Sequence, residues 1–341
     1  MARSTASRFR TGRNAIVMLV LGALILLAFL VSMNAGYIRL PPSDVFRTLF
    51  GYGTAKQHLI LFDFRLPRIV ISVLIGAGLA VSGCVMQGIS RNALADPGIL
   101  GINAGAGLMV MLFVSFFPAT AAAPIYLLPL LAFAGAALTA ALIYALANRR
   151  HSALSQTRLL MTGIAVAAGI SAASIVLTLK LSPEQYQFLA TWLAGSIWGT
   201  TWKFVLSLLP WMMLLLPYVF YKARVMNVLN LGEATATGLG AHVGREQLKL
   251  LAAAVGLAAS CVAVSGGIGF VGLIGPHLAR RLVGPRHQAL LPVSALVGAL
   301  LVIVADTIGR TLLQPSEVPT GIVVAVVGAP YFLYLLAKSK S

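Results

Sequence analysis

Acidic side chains are scarce in this sequence, with only 8 Asp and Glu against 25 Lys and Arg in 341 residues. Charged residues of both signs make up 10% of the chain and apolar ones 59%. A water-soluble domain carries about 25% charged residues, so the deficit excludes a soluble globular fold. Cysteine is nearly missing too. Cys84 and Cys261 stand far apart in apolar stretches, which offers neither a disulfide framework nor a thiolate metal site and reads as core packing. The five histidines, His58, His151, His242, His277 and His287, are dispersed and form no ligand cluster. No Gly-Lys pair occurs anywhere, so the chain has no GxxxxGK[ST] loop to cradle a nucleotide phosphate. HExxH and GxSxG are also missing. Neither an active site nor a cofactor is expected in this chain.

What is present is apolar sequence in membrane-sized pieces. A helix needs about 20 apolar residues to cross a hydrocarbon core of about 30 Å. About ten stretches qualify, near 15–33, 66–88, 98–117, 124–147, 158–180, 198–221, 248–265, 268–283, 288–308 and 319–337. The fold class is therefore an all-α polytopic membrane protein of about ten transmembrane helices, in a single domain over 1–341. The N-terminal stretch before Ala15 is basic and no small-x-small cleavage site follows it, so an uncleaved first span is expected. With residues 1–14 and the C-terminus both cytoplasmic, the inner segments collect 17 of the 25 Lys and Arg, and 8 fall outside. That asymmetry satisfies the positive-inside rule. It also explains the net charge of +17 as topology, with no nucleic acid required.

Glycine is plentiful at 33 residues, many inside apolar runs. Small residues let membrane helices approach closely where lipid supplies no hydrophobic force between them. The run Ser265-Gly266-Gly267-Ile268-Gly269 implies non-helical backbone at depth, tolerated only where protein or a water-lined cavity covers it. Two long polar breaks interrupt the pattern, at 34–65 outside and 222–249 inside. The second contains NVLNLGEATATGLGAHVGREQLK from Asn227 to Lys249, with two short helical patterns. It is long for a turn between spans, where connections run about 2–8 residues. A helix pair held against the membrane is suited to receive a push from a soluble partner.

Charges near the outer ends of spans run against the topology rule. Arg65 and Arg68 flank Pro67 where the second span begins, and Arg310 closes the ninth. Either they snorkel to the interface, or they are fixed guanidinium groups that dock carboxylates of an external partner. Asp306 is the one carboxylate expected inside the membrane zone, which makes it a functional candidate. A local i, i+4 pair with Arg310 is the favoured reading. On the inner side, Asp96 before Pro97 is placed to cap the third span.

In order along the chain, RLPR at 65–68, SGCVMQGISRNALADPGILG at 82–101, LGEATATGLGAHVGR at 231–245, GGIGFVGLIGPHLARRLVG at 266–284, ADTIGR at 305–310 and PSEVPTGIVVAVVGAPYFLYLL at 315–336 follow one pattern. From about Gly36 onward, the chain resembles the permeases of bacterial ABC importers for iron–siderophore complexes and cobalamin, the FecCD type. Ala93 stands where that family usually has proline, and Gly275 occupies a variable place. The resemblance implies a type II ABC importer architecture in the cytoplasmic membrane. A second permease subunit, identical or paralogous, would complete the pathway, with two ATP-binding subunits inside and an extracytoplasmic substrate-binding protein outside. It gives Arg65, Arg68 and Arg310 to binding-protein docking. Leu231, Gly232, Glu233, Gly238, Leu239 and Gly240 fall to ATPase coupling. Asn92 and Leu94 match a cytoplasmic gate, joined by Gln156 and Thr157 at the start of the fifth span. The implied cargo is a ferric siderophore, with cobalamin or haem as the alternative within the family. An ion-coupled secondary transporter is the rival class, and would need Asp306 as its coupling acid.

Overall fold

The structure, a computed structural model, describes residues 2–36, 41–117, 127–148, 156–314 and 316–338. Among these residues it is helical throughout, with no strand. In chain order come α1 (Ala2–Asn34), α2 (Pro42–Leu49), α3 (Ala55–His58), a π-helical turn (Leu59–Arg65) and α4 (Leu66–Ser90). A 3-10 turn (Pro97–Leu100) leads to α5 (Ile102–Phe116), α6 (Leu127–Ala147), α7 (Gln156–Thr178), α8 (Pro183–Leu193) and α9 (Trp202–Tyr221). The chain continues through α10 (Ala223–Leu229), α11 (Glu233–Gly238), α12 (Val243–Ser265), α13 (Val271–Val283), α14 (His287–Leu312) and α15 (Thr320–Lys338).

The ten expected spans correspond to α1, α4, α5, α6, α7, α9, α12, α13, α14 and α15. Among the described residues seven helices are long and apolar enough to cross a membrane, whereas α5 is apolar but shorter. With 15 and 13 residues, α5 and α13 reach only about 20 Å at 1.5 Å per residue. Each is preceded by irregular backbone, at 91–96 with the following 3-10 turn and at 266–270. The expected break after Ser265 is therefore present, and it takes the place of the first helical turn in the 268–283 stretch. The second span also differs from expectation. Its helix runs unbroken from Ala55 through the π-turn to Ser90, so Arg65 and Arg68 lie well inside a helical rod. Helix α8 lies within no expected span, because its mixed polar sequence PEQYQFLATWL carries no membrane signal.

At the centre stands α4, against which α9, α12, α13 and α14 pack. Gly76 of α4 and Gly298 of α14 face each other so closely that a Cβ on either would overlap the carbonyl oxygen of the other. This contact lets two long apolar helices gain dispersion contacts along their length, the main attraction available in lipid. Polar groups inside find partners, as when Ser82 Oγ donates to Ala254 O at 2.6 Å and Gln87 Nε2 to Gly272 O at 3.2 Å. The outer surface is apolar, with Leu19, Leu26, Ile175, Val176 and Leu214 each more than half exposed. Such a surface is stable only against lipid or another membrane subunit.

Candidate functional site

Four segments converge at one end of the bundle. The π-turn and the start of α4 bring Arg65 and Arg68, α14 brings Asp306 and Arg310, α1 brings Ser32 and Met33, and the entry and first residue of α15 bring Glu317 and Thr320. Asp306 Oδ1 accepts from Arg68 Nε at 3.0 Å and Nη2 at 2.9 Å, and from Thr320 Oγ1 at 3.1 Å. Its Oδ2 lies 3.1 Å from Arg310 Nε as an ion pair. Arg68 Nη1 donates to Glu317 Oε2 at 2.7 Å. Arg310 Nη2 donates to Ser32 Oγ, and Arg65 Nη1 to the Met33 carbonyl. Three guanidinium groups and two carboxylates thus tie α1, α4, α14 and the entry of α15 together.

Burial changes how these arginines must be read. Arg65, Arg68 and Arg310 are 6%, 9% and 6% exposed, and Asp306 is 1% exposed. Their heads neither snorkel into water nor stand free for an outside carboxylate. The Asp306–Arg310 pair expected from i, i+4 spacing is present. Its second cation, Arg68, lies 238 residues away in sequence, and no local pattern could announce it. Glu317 is the outward member, with 31% of its side chain exposed.

At the opposite end, Lys222 closes α9 and donates to Glu246 Oε2 at 2.7 Å, and that hydrogen bond holds its ammonium above the usual range. This pair ties the start of α10 to α12. Between them the chain forms a ledge, with the helix pair at 223–229 and 233–238. The expected 227–249 boundaries shift accordingly, since residues 243–249 already belong to α12. Gly232 at φ +110 and Gly240 at φ +82 bracket α11, a backbone region that residues with a Cβ avoid. Only Ala236 of α11 is buried. Leu231 and Leu239 are 60% and 63% exposed, and Glu233 lies in the first turn of α11. The six residues Leu231, Gly232, Glu233, Gly238, Leu239 and Gly240 therefore sit together on one projecting element.

The loop after α4 first packs against the ledge. Arg91 adopts φ +47 and anchors to Leu229 O at 2.9 Å, while Asn92 Oδ1 accepts from Leu94 N at 2.9 Å. The chain then climbs into the bundle. Asp96, Gly98 and Asn103 line a small cavity with Leu79, Ala258, Val262 and Gly272, alongside the middle of α4. Asp96 Oδ2 accepts from Gly98 N at 2.9 Å, so it caps the 3-10 turn and not the span itself, which starts at Ile102. Asp96 is thus a second carboxylate set among the helices, besides Asp306. Gln156 and Thr157 open α7.

Known proteins resemble this chain in sequence and in fold. The model of the FecCD transport family matches residues 24–338. The iron(3+)-hydroxamate import system permease protein FhuG of Bacillus subtilis (strain 168) is 49% identical over 97% of this chain and 99% of its own. The iron-uptake system permease protein FeuC of the same organism is 43% identical over 93% of this chain and 96% of its own. A solved structure described as an inward-facing conformation of a putative metal-chelate type ABC transporter superposes with a TM-score of 0.82. It is 30% identical and covers 95% of this chain and 99% of its own.

Proposed function

This chain belongs to the FecCD transport family, and from that premise we propose that it imports ferric siderophores, ferric hydroxamates first among them. It is a permease subunit of an ABC importer in the bacterial inner membrane and not an enzyme, and ATP is hydrolysed on a separate chain. Both termini face the cytoplasm in this reading, supported by the 17-to-8 split of basic residues. The observation that carries the energy coupling is the ledge at 231–240. Its two exposed leucines, Leu231 and Leu239, flank an α11 with a single buried residue, as a knob for an ATPase cleft should. A push on that ledge is passed to α12 through the Lys222–Glu246 tie, and Asn92, Leu94, Gln156 and Thr157 would gate the inner mouth.

Docking of a substrate-binding protein at the outer face works by exchange. An acidic lobe displaces Glu317 from Arg68, while Asp306 keeps the guanidinium groups in place, and bidentate geometry favours arginine for this purpose. The ion-coupled rival loses its acid, because Asp306 is already engaged by Arg68 and Arg310. Radioiron uptake tests the cargo. Cells lacking the gene should lose uptake of a ferric hydroxamate and regain it with the wild-type gene. Unchanged uptake of every ferric chelate, with loss of haem or cobalamin import, would assign the other cargo.

A further inference from the structure

At the inner end of the bundle lies a cavity of about 600 Å³ that none of the roles above uses. Its lining includes Arg13, Asn14, Asn227, Asn230, Arg286 and Gln288. Among the described residues no carboxylate lines it, and neither Arg13 nor Arg286 forms a salt bridge. Asn227 is fixed, its Nδ2 donating to Gln288 Oε1 at 2.7 Å and its Oδ1 accepting from His287 N at 3.0 Å. Asn14 Oδ1 is buried without a hydrogen-bond partner. Two unneutralised guanidinium groups facing one polar hollow repel each other, and an anion between them removes that cost.

We propose that this cavity holds the headgroup of an anionic glycerophospholipid from the inner leaflet. A second observation selects a lipid over a free phosphate. Arg13 lies on α1 two residues before the first apolar stretch, which begins at Ala15. At helical spacing from it, Ile16, Val20, Leu24 and Leu27 are 62%, 52%, 41% and 57% exposed and form an apolar stripe running from the cavity mouth into the hydrocarbon zone. A phosphodiester between Arg13 and Arg286, with acyl chains along that stripe, satisfies both features at once. A headgroup hydroxyl such as that of phosphatidylglycerol would donate to Asn14 Oδ1.

The test uses the full chain in its complex, purified in detergent and offered phosphatidylglycerol, phosphatidylcholine or soluble glycerol phosphate, with bound lipid counted by native mass spectrometry. Phosphatidylglycerol should be retained over phosphatidylcholine. Juxtamembrane basic residues contribute about 1 kcal/mol each to anionic-lipid binding. Arg13→Gln and Arg286→Gln should therefore each weaken retention about fivefold, and the double variant more than tenfold. Both side chains are exposed, so the variants should fold. Arg245→Gln, an exposed arginine away from the cavity, should change nothing. Equal retention of the two lipids, equal protection by glycerol phosphate, or a double variant that keeps its lipid would overturn the proposal. A double variant that keeps its lipid but loses a co-purifying ATPase chain would reassign the cavity to a protein partner.

Discussion

Replacing Asp306 with asparagine removes one negative charge from the outer clasp while leaving its shape. The amide oxygen of the replacement could still accept from Arg68, so the loss is mainly electrostatic. Two cations lose their common partner. Arg68 keeps Glu317, but Arg310 keeps only Ser32 among the contacts described. Each ion pair at about 3–4 Å is worth about 4 kcal/mol at an effective dielectric of about 20. Part of that returns because a buried carboxylate no longer has to be desolvated. Breaking a buried pair typically costs about 3–5 kcal/mol. At an unfolding entropy of about 2.1 cal/mol/K per residue, a chain of this length shifts by about 1.5 °C per kcal/mol, so the melting temperature in detergent should fall by about 6 °C. Cys84 and Cys261 are fully buried, so a fluorogenic thiol reagent reports unfolding directly. A fall of less than about 2 °C would refute the clasp as a structural element and leave its arginines free for another role.

The remaining predictions concern other parts of the account. Glu317→Gln removes a part-exposed competitor for Arg68, so binding-protein affinity should rise severalfold, most at low salt because exposed charges are screened. Unchanged affinity in a titration would leave the arginines purely structural. Gly298→Ala forces α4 and α14 apart at Gly76, which should cost about 1–3 kcal/mol and appear in the same thiol melt. A wild-type melting curve would show that the contact is looser than drawn. Lys222→Met breaks the tie to Glu246, worth about 1 kcal/mol for a partly exposed pair. Amide hydrogen exchange across 233–238 should then quicken about fivefold, and an unaltered rate would remove the tie from the coupling route.

Much of this architecture was legible in the sequence because the physics of a membrane span is local. Twenty apolar residues declare themselves without reference to the rest of the chain, and all ten expected stretches contain a helix. What failed were boundaries set by tertiary packing. The short helices α5 and α13 begin late because Asp96–Leu100 and Gly266–Phe270 lie against neighbouring helices, which no periodicity reports. Arg65, Arg68 and Arg310 were found as outer charges, but their burial depends on Asp306 and Glu317 meeting Arg68 across more than 230 residues of chain. The ledge was visible as a polar interruption, and its first helix starts at Ala223, four residues before the expected Asn227. The inner cavity could not be read at all, since Arg13, Asn227 and Arg286 look like ordinary topology residues until the fold brings them together.

The most direct measurement is uptake of a ferric hydroxamate into proteoliposomes holding the permease, its ATPase subunit and its binding protein, with no ion gradient. The account predicts uptake that requires ATP and the ATPase chain, and that is abolished by Glu233→Arg while membrane insertion is kept. Uptake without the ATPase chain, or normal ATP-driven uptake by Glu233→Arg, would contradict the claim that the work enters through the 231–240 ledge.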